Sequence, residues 1–170
     1  MKLSTLFVAL MLVCTSAVAD DRISYGLGLG QYYSGLGVNV GLSNISSLTY
    51  LSAGCIGRTE GTDQKPSNAC GGGIGKVISG SQFSASQMHS LSAYIGAVDM
   101  EQRVNGTVET VYGLSFLYAY NFSGFDNSGF NIGIGPSVAL TGDKHSSTLK
   151  LQLGYQFFEK NSSVNLFARN

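Results

Sequence analysis

Residues 148–158 read TLKLQLGYQFF, and their reading decides the fold. Leu149, Leu151, Leu153, Tyr155 and Phe157 fall on one face, Thr148, Lys150, Gln152, Gly154 and Gln156 on the other. A period of two marks a β-strand whose two faces meet unlike surroundings. The pattern recurs upstream. Over Phe130–Thr141, Phe130, Ile132, Ile134, Pro136, Val138 and Leu140 oppose Asn131, Gly133, Gly135, Ser137 and Ala139. Over Thr110–Phe122, Tyr112, Leu114, Phe116, Tyr118, Tyr120 and Phe122 share a face. Near the start, Ile23, Tyr25, Leu27 and Leu29 oppose Ser24, Gly26, Gly28 and Gly30, and Leu36, Val38, Val40 and Leu42 oppose Gly35, Gly37, Asn39, Gly41 and Ser43.

Three less regular strands are expected at about Leu48–Gly57, Ala69–Ile78 and Met88–Val104, the last running into Asn105-Gly106, a two-residue hairpin signal. The other breaks fall at Gln31–Ser34, Asn44–Ser47, Arg58–Asn68, Ser79–Gln87, Ser123–Ser128 and Gly142–Ser147. Eight strands joined by seven short connections make an all-β, antiparallel, up-and-down order.

The balance of the two faces decides which of them looks outward. A surface in water carries charges on a quarter of its residues or more. Here the small face is Gly, Ser, Asn and Ala, and the charges Arg58, Glu60, Asp63, Lys65, Asp126, Asp143 and Lys144 collect in connections. A bulky apolar face opposite a small polar one fits a barrel in lipid, with the small side chains lining a narrow interior. Open edges cannot sit in lipid, so such a sheet closes. The expectation is an eight-stranded transmembrane β-barrel over residues 20–158. Its interior would be just wide enough to be filled by side chains. The glycines on the small face leave room for a small cavity or water file, although they serve equally for tight curvature and close packing, the reading the pattern favours.

The first nineteen residues read as an address. Lys2 supplies a positive end, Leu3–Val13 is an apolar run too short to span as a helix, and Ala17-Val18-Ala19 offers a small-x-small cleavage pattern. Nine basic and ten acidic side chains then remain, a net charge of about −1, which argues against a nucleic-acid partner. Cys55 and Cys70 are the two cysteines left, and an even count in an exported chain suggests a disulfide between them. If the first strand runs outward from the periplasm, Gln31–Ser34, Arg58–Asn68, the Asn105 hairpin and Gly142–Ser147 lie outside, where long loops belong. Tyr25, Phe122, Phe125, Phe130, Tyr155, Phe157 and Phe158 gather at the opposite end, as an interfacial aromatic girdle would.

Leu151-Gln-Leu-Gly-Tyr-Gln-Phe157 resembles the terminal strand of small bacterial outer-membrane barrels, the group that includes OmpA-like transmembrane domains and the OmpX and Ail proteins. The resemblance in pattern extends over residues 20–158. It implies a monomeric protein in the bacterial outer membrane, surrounded by outer-membrane lipid and inserted by the barrel assembly machinery. Residues 159–170 follow where that family usually stops, and read as a periplasmic tail or an extra short strand at Ser163–Arg169.

Candidate chemistry is sparse. His145-x-Ser147 with Glu159 echoes the motif of outer-membrane lipid A deacylases. The eleven residues between Ser147 and Glu159 form one strand, about 3.3 Å per residue, which sets the two on opposite sides of a bilayer. Gly71-Gly72-Gly73-Ile74-Gly75-Lys76 lacks the first Gly and final Ser or Thr of a phosphate loop. His89, Asp99, Glu101 and Arg103 are scattered, and no catalytic residue, cofactor or metal ligand is assigned. The leading expectation is a non-enzymatic barrel with an envelope-structural or surface-contact role through its outer loops. A lipid-modifying barrel enzyme and a soluble periplasmic lipocalin-like carrier with its apolar face inward are the alternatives.

Overall fold

In a computed structural model the chain is described over residues 22–60, 66–83, 86–103, 107–141 and 146–159. Eight antiparallel strands follow one another as β1 (Arg22–Gly30), β2 (Gly35–Ser43), β3 (Ser47–Glu60), β4 (Pro66–Ser79), β5 (His89–Gln102), β6 (Val108–Asn121), β7 (Gly129–Ala139) and β8 (Ser147–Phe158). Each pairs with the next, and β1 also pairs with β8, from Ser24 opposite Phe158 to Leu29 opposite Leu153, which closes the sheet into a barrel. The expected order and number of strands are therefore present. The leader, the Asn105-Gly106 turn, His145 and Ser163–Arg169 lie outside the described residues.

The faces are inverted relative to a protein with an apolar core. Ile23, Leu27, Val38, Val40, Leu51, Ile95, Phe116, Ile132, Leu149 and Leu151 point outward and are each about half exposed or more. Ser24, Asn39, Ser52, Ser90, Ser92, Ser115, Asn131, Ser137, Gln152 and Gln156 point inward and are buried. The alternation that defined each strand in the sequence is the alternation between these two environments.

Two irregularities fall in the less regular strands β3 and β5. The β3–β4 register shifts between Cys55 and Gly57, and the β5–β6 register between Ala97 and Asp99. A β-bulge inserts one residue, Ile56 or Val98, and reverses which parity faces inward beyond it. Past the bulges the ladders continue, so β3 and β4 run on to Glu60 and Pro66. Of the stretch Arg58–Asn68, expected as a loop, residues 58–60 and 66–68 are thus paired in the ladder, and 61–65 lie outside the described residues.

The interior differs from the expected small polar lining in a second way. The connection Gln31–Ser34, expected outside, is a single 3-10 turn folded into the lumen, and all four of its residues are buried. Gly30 and Gly35 take positive φ values of 109° and 101°, and Ser34 sits in the left-handed region, so the chain can turn inward there. The turn delivers Tyr32 and Tyr33 to the barrel axis, where Tyr50 and Tyr94 join them from β3 and β5. Tyr32 and Tyr50 lie with ring centroids 5.4 Å apart, and Tyr50 and Tyr94 stack at 6.4 Å.

Glycine makes the space for these rings. A Cβ added at Gly28 or Gly154 would overlap the Tyr33 ring, one at Gly73 or Gly96 the Tyr94 ring, and one at Gly75 the Tyr50 ring. At the other end Phe125, expected in the girdle, is buried beneath the lumen, because the connection after β6 folds under and its Phe125 amide donates to the Gln87 carbonyl at 2.9 Å. Of the expected girdle, Tyr25, Phe122 and Phe130 are exposed on the outer face, and Tyr155, Phe157 and Phe158 are half-buried.

Ring-for-glycine fit gives a direct test. Gly154→Val forces Tyr33 from its seat and should lower the unfolding free energy by about 3 kcal/mol, the cost of overpacking a filled core. Gly133→Ala, whose Cβ meets only contacts of 3.0 Å or longer, should cost less than about 1 kcal/mol. Urea unfolding of the two variants checks this, and equal losses would contradict the account.

Candidate functional site

The two ends of the barrel are built differently. Above the level where β1 and β2 turn inward, the wall continues only as two long hairpins, β3–β4 and β5–β6, and as the upper part of β7–β8. Pairing between β4 and β5 stops at Gly73 opposite Gly96, so the hairpins separate there. Ala97, Met100, Thr110 and Tyr112, on the outer face of β5–β6, meet Gly57 and Gly71 on the inner face of β3–β4. The β5–β6 hairpin therefore leans across the mouth, and the β3–β4 hairpin lies over its back. Ala69 and Ala97, each about 1% exposed, are buried in the contact.

Two links hold this arrangement. Cys55 and Cys70 are register partners on the outer face and form a disulfide, as the cysteine count suggested. It staples β3 to β4 immediately below the bulge at Ile56, where the ladder is weakest. The Thr110 hydroxyl donates to the Cys70 carbonyl at 2.9 Å and ties the stapled hairpin to its neighbour.

The mouth under the leaning hairpin is charged. Asp99, Met100, Glu101, Val111, Ala139 and Ser146 line a recess of about 190 Å³. Lys150, from the inner face of β8, approaches Asp99 at 3.5 Å. Arg103 donates to Glu109 at 2.8 Å across the hairpin end, an exposed pair worth at most about 1 kcal/mol. Of the four titratable residues noted in the sequence, Asp99, Glu101 and Arg103 thus share the upper rim. His89 lies far from them, at the lower end of β5, hydrogen-bonded through Nδ1 to the Tyr118 hydroxyl on the outer face. Ser147 opens β8 and Glu159 follows its last residue, so these two stand at opposite ends of the barrel. Gly71–Lys76 is a stretch of β4. Among the described residues no three His, Cys, Asp or Glu side chains come together to hold a metal ion.

Below the mouth the lumen is occupied. The Gln152 amide donates to Asn131 at 2.9 Å, Asn131 donates to the Tyr33 hydroxyl at 3.1 Å, and the Tyr32 amide donates to Gln152 Oε1 at 3.2 Å. Gln156 donates to Ser24 and, at 3.0 Å, to Asn39, and Asn39 donates to the Tyr32 carbonyl at 3.1 Å. Ser34, Ser52 and Tyr94 share hydroxyl contacts of 2.7 and 2.8 Å. Among the described residues, Gln31 Oε1, Tyr32 Oη, Tyr50 Oη and Ser92 Oγ are buried without a hydrogen bond of ordinary geometry. Buried groups of this kind take ordered water. This network fixes the inward turn from several strands at once. Sequence reasoning expected a lumen filled by side chains but missed that tyrosine rings and an inward turn fill it, although a tyrosine on an otherwise Ser and Gly face, at Tyr50 and Tyr94, was the visible signal.

Compared with protein families, with curated proteins and with solved structures, the chain finds no match. The class the geometry defines is a closed eight-stranded antiparallel barrel with an apolar exterior and a hydrogen-bonded, ring-filled interior.

The disulfide supplies the test here. Cys55→Ser with Cys70→Ser should lower the unfolding free energy by up to about 3 kcal/mol, the chain-entropy value for a loop of this length, and should speed proteolysis within the β3–β4 hairpin. Protection of the lower barrel should be unchanged; a loss spread over the whole barrel would contradict a local staple.

Proposed function

We propose that the protein is a small outer-membrane β-barrel of the bacterial envelope, similar in kind to OmpX and Ail, that works through its upper hairpins as a surface-contact or envelope-structural element. One observation carries this reading: the closed wall turns its large apolar side chains outward and its amides and hydroxyls inward. In water, half-exposed leucines and phenylalanines around a whole circumference cost stability, whereas in hydrocarbon they are the favoured surface. Closure leaves the wall without a strand edge, which a lipid setting demands. Tyr25, Tyr120, Phe122 and Phe130 gather on the outer face at one end, over the β1, β7 and β6 side, as part of an interfacial belt would.

The same geometry supports contact rather than conduction or catalysis. Four rings and a network of amides occupy the lumen, which argues against passage of solutes. The stapled β3–β4 hairpin and its neighbour β5–β6, with a rim of Asp99, Glu101, Arg103 and Glu109, are the part that stands clear of the wall and presents a polar surface. In the proposed setting the barrel is a monomer surrounded by outer-membrane lipid and delivered by the barrel assembly machinery.

Cell fractionation with gel migration of unheated and boiled samples tests the reading. Recovery in the outer membrane with heat-dependent migration is expected; recovery as a free periplasmic protein without that shift would overturn it. A second measurement separates lipid from water around the wall. Ile134 lies at the middle of β7 and points outward. Ile134→Arg should cost about 2–4 kcal/mol of folding stability in bilayers, but close to nothing if that face meets water.

A further inference from the structure

The outer face of the wall carries one exception to its apolar character. Among the described residues of the strands below the two upper hairpins, Lys76 on β4 is the one Lys, Arg, Asp or Glu that points outward. No carboxylate partners it among the described residues. In the ladder it stands between Thr49 of β3 and Ala93 of β5. Both are small and exposed, so the lysine rises between two troughs. The trough on the Thr49 side is a groove of about 390 Å³ whose walls include Ile23, Val40, Leu42, Leu51 and Ile74. The trough on the Ala93 side measures about 250 Å³ and is walled by Ile78, Leu91, Phe116 and Lys76 itself.

The position along the strand matters as much. Lys76 lies three residues from the lower end of β4, as Tyr25 and Tyr155 lie three residues from the lower ends of β1 and β8. The aromatic belt runs around β1, β8, β7 and β6 at that end, extends to His89 of β5, and is missing over β2, β3 and β4, where Leu42, Thr49 and Lys76 stand in place of rings. An ammonium at belt height sits at headgroup depth. Two apolar grooves leave it in opposite directions around the barrel.

We propose that Lys76 and its flanking grooves bind one diacyl phospholipid with an anionic headgroup, drawn from the leaflet at the lower end of the barrel. The ammonium receives the phosphate, the Thr49 hydroxyl offers a second donor beside it, and one acyl chain lies along each groove. Charge complementarity selects the occupant: an unpaired cation in an otherwise apolar wall favours a negative headgroup, and two grooves match two chains. The inference rests on the membrane reading above. A lysine that merely reaches for the interface would sit at the same depth and attract anionic headgroups by charge alone, so its preference would survive the filling of a groove.

Native mass spectrometry of the full-length folded protein, released from micelles holding equal phosphatidylglycerol and phosphatidylcholine, tests this. Phosphatidylglycerol should be the first bound lipid about five times as often, the preference one basic side chain confers at an anionic surface. Lys76→Gln should bring the ratio to parity, Lys76→Arg should keep it, and Ala93→Phe, which fills one groove with the charge intact, should reduce it. Each variant is first shown to be folded by its heat-dependent gel migration. Equal retention of both lipids by the folded wild type, or a preference that survives Lys76→Gln, would overturn the inference and leave the membrane reading standing. A protein that shows no heat-dependent migration and fails to float with vesicles would remove the membrane reading itself.

Discussion

The ladder between β1 and β8 is the constraint from which the rest follows. Six register pairs, Ser24 opposite Phe158 through Leu29 opposite Leu153, convert a ribbon with two open edges into a wall with none. Once the wall is closed, each strand has only an inside and an outside. The alternation of large apolar and small polar side chains then has a single arrangement that turns the small polar face inward, where most of its amides and hydroxyls find partners. The circumference of eight strands also sets the width of the lumen, and that width must be filled.

How it is filled sets this barrel apart from a simple pleated tube. The inner faces of β1, β2 and β8 are too poor in side-chain volume to occupy the axis: Gly26, Gly28, Gly37, Gly41 and Gly154 fall there. The missing volume comes from a connection rather than a strand. The turn at Gln31–Ser34 sends Tyr32 and Tyr33 inward, and the glycines that could not fill the lumen become the seats of the rings. The cost of burying phenolic and amide groups is offset by hydrogen bonds to Asn131, Gln152 and Ser52 drawn from three different strands.

The sequence makes the wall plain and conceals the ends. Alternation identifies β1, β2, β6, β7 and β8 because both of their faces are regular throughout. It weakens in β3 and β5 because single inserted residues, Ile56 and Val98, reverse the parity partway along. The hairpin beyond Cys55 carries no apolar alternation, so Arg58–Asn68 reads as loop although residues 58–60 pair with 66–68. Tyr32 and Tyr33 look like ordinary turn residues, since nothing local says which side of the sheet a turn folds toward; only the volume deficit across the lumen demands them. Phe125 escapes for a related reason, as an aromatic in a lower connection serves a girdle or a plug equally well in one dimension. The Cys55–Cys70 pairing is the exception at the upper end, because once Cys14 is read as part of a leader the two remaining cysteines allow a single connectivity. The cluster of Asp99, Glu101 and Arg103 with Lys150 needed the leaning of one hairpin over the mouth, a tertiary event that leaves no trace in spacing.

The closing ladder also dictates an order of assembly. The β3–β4 and β5–β6 hairpins join residues close along the chain, so their ladders, and the Cys55–Cys70 bond, cost little loop entropy to form. The β1–β8 ladder joins the two extremes of the barrel and carries the largest closure cost, which places it late in folding. Until it forms, β1 and β8 each display a bare edge able to capture a strand from another chain. The interval between hairpin formation and closure is therefore the stage at which the nascent barrel is most exposed to aggregation, and the stage at which a chaperone or an insertion catalyst would protect it most.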